Sequence, residues 1–173
     1  MGQDGEELLV LQKRLAKQSG KVASQSTYTK QKKLPDIARY DLVVVGSGIR
    51  ADTWTKPVLI FLESNAEKLR NKKTALFVSC QMVERGEEAR QRTKKEYLLK
   101  VAEKYCLKPI AFGLFGGFVD FKKSHGIVVD VMVRVNRRKL LANGLDISKV
   151  HDTRNWDCIE ARAKHVARTA LEA

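Results

Sequence analysis

The chain alternates between two patterns. Short unbroken apolar runs end at glycine or a polar turn, and longer stretches repeat apolar residues every three or four positions. The run "LVVVG" (42–46) is β-branched and closed by glycine, which predicts a strand buried on both faces. Trp54 to Leu69 carries apolar residues at 54, 58, 61, 62 and 69 with Pro57 near its start, which predicts an amphipathic helix. "TALFVSC" (74–80) reads as a second buried strand. Glu87 to Tyr105 reads as a long charged helix whose inner face holds Ala89, Tyr97, Leu98, Val101 and Ala102. "KPIAFGLF" (108–115) reads as a third strand that breaks at Gly116-Gly117.

The flanks are less regular. Gly5 to Gly20 predicts a helix through Leu8, Leu11 and Leu15, with Gly20 as its stop. "KVASQSTYTKQKK" is polar and basic and fits an edge strand or a loop. "HGIVVDVMVRVNRRKLL" (125–141) fits a strand by its β-branched content and a helix by its length and basic end, so residues 122–150 are open to either. Thr153 to Leu171 places Trp156, Ile159, Ala163, Val166 and Ala170 on one face of a terminal packing helix, with Thr153 or Asp152 as N-cap.

Strand, helix, strand, helix, strand, helix predicts an α/β fold, a parallel sheet covered on both faces. Ligands of such sheets bind outside the carboxyl ends of the strands. That directs attention to segments 46–54, 79–87 and 115–121.

In "GSGIRADTW" small residues admit close approach to the main chain, Trp54 offers an aromatic face and Arg50 a positive charge. The alternative is a plain strand-to-helix turn, its glycines permitting sharp angles and Trp54 packed in the core. A dinucleotide fingerprint is excluded, because Ala51 stands where a third glycine is needed. In "VSCQMVERGEEA", Ser79, Cys80 and Gln81 end a strand; Cys80 reads as packing and not as a nucleophile, for no histidine neighbours it. "GLFGGFVDF" stacks aromatics around a glycine pair, with Asp120 as a turn residue. No paired carboxylates, catalytic triad or phosphate-cradling lysine motif emerges, so if the chain is an enzyme, a bound cofactor carries its chemistry.

Composition narrows the class. With 173 residues the chain suits one domain; 43% hydrophobic and 31% charged residues describe a folded protein. No apolar run approaches the ~20 residues that cross a bilayer, and "MGQDGEELLV" lacks the order of a signal peptide, so the expected location is cytoplasmic. Three dispersed cysteines (80, 106, 158) and three dispersed histidines (125, 151, 165) argue against disulfides and a metal site. Lysines and arginines number 33 against 20 acidic residues, a formal charge of +13. That charge fits nucleic acid, an anionic membrane or an anionic ligand, and equally fits helices coated with solvated cations.

The blocks "ARYDLVVVGSGIRADTWTKPVLIFLESN", "KKTALFVSCQM", "LKPIAFGLFGGFVDFKK" and "DTRNWDCIEARAKHVA", in this order, resemble the flavodoxin-domain family over about residues 5–168. The branch they resemble includes menaquinone-dependent protoporphyrinogen oxidase. The resemblance implies a single three-layer domain over 1–173 with sheet order 2-1-3-4-5 and FMN at the strands' carboxyl ends. It further implies that Ser47, Gly48, Ile49 and Arg50, with Trp54 just beyond, lie beside the isoalloxazine ring. Ser79, Cys80, Gln81 and Met82 would border its pyrimidine side. Backbone donors there would tune the flavin's potential.

Two departures stand out. The family carries a glycine where this chain has Asp52, and a carboxylate there disfavours an anionic reduced flavin unless it points away. Set against that family, residues 1–39 are expected to be a truncated or atypical N-terminal part, its first strand and hydroxyl-rich phosphate loop missing or replaced through a late start, degeneration, or partial filling by residues 22–30.

The expected function is an FMN-dependent oxidoreductase or electron carrier, protoporphyrinogen oxidase-like, with a quinone or electron-transfer protein as partner. The basic segment Arg134 to Lys139 suits an anionic membrane surface or porphyrin carboxylates, which allows a position peripheral to the inner face of the membrane. The alternative is a flavin-less basic module on the same scaffold that binds polyanions such as nucleic acid. Its basic stretches have little aromatic interleaving, so that binding would not be sequence-specific.

Overall fold

The computed structural model describes residues 37–120, 131, 134–135, 137–142 and 148–172. The expected helix at 5–20 and the strand or loop at 21–33 lie outside the described residues.

β1 (Leu42–Arg50), β3 (Lys73–Ser79) and β4 (Ala111–Phe115) form a parallel sheet, as the three apolar runs predict. β1 runs four residues past Gly46, so "GSGIR" is strand and not loop. It then turns through Ala51 and Asp52 into the two-residue antiparallel β2 (Thr53–Trp54), giving the order β2-β1-β3-β4. The strand order β1-β3-β4 matches the 3-4-5 part of the expected order. Among the described residues, the other edge of β1 pairs only through Ile49 and Arg50.

Side chains alternate across the sheet with period two. Val45, Leu76 and Val78 face one way and join Leu62 and Leu69 of α1 (Lys56–Arg70), with Leu98 and Ala102 of α2. α2 is a continuous helix formed by Glu87–Thr93, a π-helical stretch Lys94–Leu99, and Lys100–Lys104. Phe77 and Phe115 face the other way and meet Ile159 and Trp156 of α4 (Trp156–Glu172). Helices therefore cover both faces, a three-layer α/β sandwich. Each fully buried Leu or Ile contributes about 1.5–3 kcal/mol.

Pro57 sits in the first turn of α1 as expected, and Thr55 is its N-cap. α4 departs from expectation: its cap is neither Asp152 nor Thr153 but Asn155, whose Oδ1 accepts from the Cys158 N–H at 3.0 Å.

Where described, residues 131, 134–135 and 137–142 of the ambiguous 122–150 region take the helical alternative. They end in α3 (Arg137–Ala142), and the chain returns as β6 (Val150–Asp152) against β5 (Phe118–Asp120) in an antiparallel pair. Asp120 thus lies in a strand and not in a turn. Gly116 lets the main chain cross this pair, since a Cβ there would stand 2.0 Å from the Thr153 carbonyl oxygen.

Candidate functional site

Parallel register sets the carboxyl edge. Gly48 pairs with Ser79, and Ser79 with Phe115, so all three strands end close to one level. The Ala51–Asp52 turn, the Cys80–Met82 segment and Gly116-Gly117 therefore line one rim, the edge at which open α/β sheets bind ligands.

The alternation within "GSG" gives its three residues different tasks. Gly46 lies over the Phe77 ring: a Cβ would stand 2.0 Å from Phe77 Cζ, so its glycine serves packing inside the sandwich. Gly48, on the same face, has no atom of the described residues within 4 Å of a Cβ position. Ser47 points to the opposite face and is fully buried. Its hydroxyl donates to the Gly48 carbonyl at 2.8 Å, accepts the Thr55 N–H at 2.9 Å and lies 3.1 Å from Thr55 Oγ1. Ser47 thus ties β1 to the N-terminus of α1 and offers no side chain to a ligand.

Trp54 corrects a second expectation. It is only 2% exposed, sits among Val45, Leu62 and Leu98, and its Nε1–H donates to the Tyr97 carbonyl at 2.8 Å. An indole so enclosed has no free face for a planar ligand; the core alternative is the correct one. Ile49 packs partly against the same core, while Arg50 is exposed.

The second segment also turns its polar groups inward. Ser79 Oγ donates to the Gly116 carbonyl at 2.7 Å. Gln81 Nε2 donates to the Gly117 and His151 carbonyls at 3.0 and 3.2 Å, and its Oε1 accepts from Thr153 Oγ1 at 3.3 Å. The amide of Gln81 is therefore the joint that holds the β5–β6 pair to the sheet. Met82 is half-buried. Cys80 is buried, and that burial is the main reason its thiol is pushed up from its ordinary value; the nearby Asp52 adds to the rise, against a bond from the Met82 backbone and the Arg85 charge. A protonated, buried thiol is a poor nucleophile.

Among the described residues, what is left facing the rim is mostly main chain: Gly48, the turn and the start of the 80–82 segment. Ala51 and Asp52 both take left-handed φ, 44° and 58°, the signature of a tight hairpin turn. This backbone is the physical reason a glycine suits position 52. The Asp52 carboxylate is engaged by Tyr97, whose OH donates to Oδ1 at 2.9 Å. The helical face assigned to Tyr97 was readable from sequence, but its contact with Asp52 spans 45 residues and no local signal announces it. Arg154 was likewise missed. It grips Asp152 with two bonds of 2.7 Å and lies over the rings of Phe118 and Trp156 at 4.9 and 5.0 Å.

Among the described residues, no three His, Cys, Asp or Glu side chains group as metal ligands, and no helix is long and apolar enough to cross a membrane.

A mostly parallel sheet sandwiched by helices defines the class of open α/β domains. The flavodoxin domain family model matches residues 10–135, most of the chain, and the chain belongs to that family. No curated protein and no solved structure matches it.

Proposed function

We propose that this domain binds FMN at the rim formed by Gly48–Asp52 and Cys80–Met82 and acts as an electron carrier or oxidoreductase. Flavodoxin domains typically bind FMN. The observation that carries the reading for this chain is the Gly48–Ser79 register, which brings β3 to its end beside Gly48, where no described residue comes within 4 Å of a Cβ position. The fit is to the ring side of the cofactor. Backbone at 48–52 and 80–82 supplies that wall, with Ile49, Arg50 and Met82 near it. Ser47, Trp54, Ser79, Cys80 and Gln81 contribute by holding the wall in place and not by side-chain contact.

Bound FMN would supply the electron-transfer chemistry; the protein's own part is to orient the ring and shield it from water. The narrower reading, a protoporphyrinogen oxidase-like flavoprotein with a quinone or electron-transfer partner, rests on the order of the sequence blocks. A cytoplasmic domain touching an anionic membrane fits the exposed Val131, Val135 and Leu141 beside exposed Arg134, Arg137 and Arg138.

The +13 formal charge favours one second reading, a flavin-less module that binds polyanions without sequence preference. A visible spectrum of the purified protein, before and after added FMN, separates the two. Flavin bands that persist at high salt support FMN binding. A colourless protein that takes up no FMN, yet binds nucleic acid at low salt only, supports the alternative.

A further inference from the structure

Tyr97 touches the hairpin at two points. Its phenol donates to Asp52 Oδ1 at 2.9 Å, in the turn itself, and its main-chain carbonyl accepts the Trp54 indole N–H at 2.8 Å, in the returning strand. Both contacts come from the π-helical stretch Lys94–Leu99 of α2, where the Lys100 N–H bonds back to the Lys95 carbonyl. A π-helical turn inserts one residue into the helical ladder, and such insertions recur at functional sites. Here the widened turn presents both the carbonyl and the phenol of one residue to the hairpin.

The hairpin has a reason to need this support. Ala51 and Asp52 both hold left-handed φ, which costs an L-residue roughly 1–2 kcal/mol each. Only two residue pairs, Ile49–Trp54 and Arg50–Thr53, close the turn. So short a pairing is marginal without tertiary contacts.

We propose that Tyr97 is a positioning residue for the ring-side wall: its two bonds latch the Arg50–Thr53 turn to α2 and hold the main chain of the rim where the flavin would lie against it. This rests on the FMN reading above. Burial, and then the Asp52 carboxylate, push the Tyr97 phenol up to about 12, so it remains a donor throughout the neutral range. Engaging Asp52 also turns that carboxylate to α2, which answers the question raised by a carboxylate in place of glycine.

The test uses the full chain, with FMN fluorescence titrations and amide hydrogen exchange on wild type, Tyr97→Phe, Asp52→Ala and Asp52→Asn. Tyr97→Phe removes the phenol donor and keeps the carbonyl. It is expected to weaken FMN binding about tenfold, the effect of losing a bond worth ~1.4 kcal/mol, and to shift the bound flavin's visible bands. Asp52→Ala should match it, and the double variant Asp52→Ala/Tyr97→Phe should lose no more than either alone. Asp52→Asn keeps an acceptor oxygen and should stay within about threefold of wild type. In the absence of FMN, exchange at residues 50–54 should rise in Tyr97→Phe and Asp52→Ala while β3 stays protected.

Wild-type FMN affinity, bands and exchange in Tyr97→Phe would overturn the positioning role and leave the FMN reading standing. A wild-type chain that binds no FMN overturns the FMN reading, and the positioning role falls with it.

Discussion

The ring of Phe77 fills the space beside Gly46 where any other residue would carry its Cβ, at 2.0 Å from Phe77 Cζ. The two residues are register partners on β1 and β3, and the Phe77 ring also tilts against Phe115 at a centroid distance of 5.7 Å. Phe77 therefore has little room to yield. Gly46→Ala is expected to destabilise the fold by roughly 1–3 kcal/mol, as overpacking does. Gly48→Ala, two residues on, where no described residue comes within 4 Å of a Cβ position, should change stability by about 0.5 kcal/mol or less. If Gly48 borders the flavin, that same substitution weakens FMN binding while the thermal midpoint stays put. Denaturant unfolding and FMN titration on the pair check both statements.

Ser47 supplies the acceptor for the Thr55 N–H at the start of α1. Removing a buried partner leaves the other group unsatisfied, at about 1–3 kcal/mol. Ser47→Ala should lower stability by that amount in urea unfolding. Ser47→Thr keeps the hydroxyl but adds a methyl at a fully buried position, so it is expected to recover only part of the loss.

Trp54 is held by packing and by its bond to Tyr97. Trp54→Phe keeps most of the packing and is expected to cost roughly 1–3 kcal/mol, the loss of one buried hydrogen bond and some volume. Trp54→Ala should cost roughly 3–5 kcal/mol. An exposed flavin-stacking tryptophan would give near-neutral stability changes for both, which calorimetry would reveal.

Two groups give opposite pH signatures. The Arg154 guanidinium holds the Asp152 carboxyl below its ordinary value. A depressed carboxylate stabilises the fold above its unfolded value of ~3.9, and that contribution is lost as pH falls through the folded value. Asp152→Asn should therefore be less stable than wild type at neutral pH, and the gap should close below about pH 4. Tyr97 is raised to about 12, so its contribution is complete below ~10, the unfolded value, and is lost as pH climbs towards 12. Tyr97→Phe should lack that alkaline loss. Stability against pH, measured on all three proteins, checks both signs.

Much of the layout was legible in the chain. Runs 42–46, 74–80 and 108–115 became β1, β3 and β4, and Leu98, Val101 and Ala102 turned inward together, because a two-sided parallel strand and an amphipathic helix leave strong periodic traces. The ends of elements were less legible. "GSGIR" continued β1 because pairing with β3, a long-range partner that overrides the local preference of glycine for turns, extends through Gly48, and pairing with β2 carries Ile49 and Arg50. The fate of each rim side chain was hidden for the same reason. Ser47, Gln81 and Trp54 are bound by Thr55, Gly117 and Tyr97, residues that the fold alone brings near. An aromatic and two polar residues at strand ends look alike in sequence whether they meet a ligand or the protein itself.

The central claim is that FMN sits on the rim of β1 and β3, and amide NMR reads that rim directly. On titration with FMN at 0.5 M salt, shifts are expected to concentrate at Gly48–Asp52 and Cys80–Met82 and to spare Asp41 and Asn71–Lys73 at the opposite edge of the sheet. Unchanged spectra, or shifts centred away from the carboxyl edge, would contradict it.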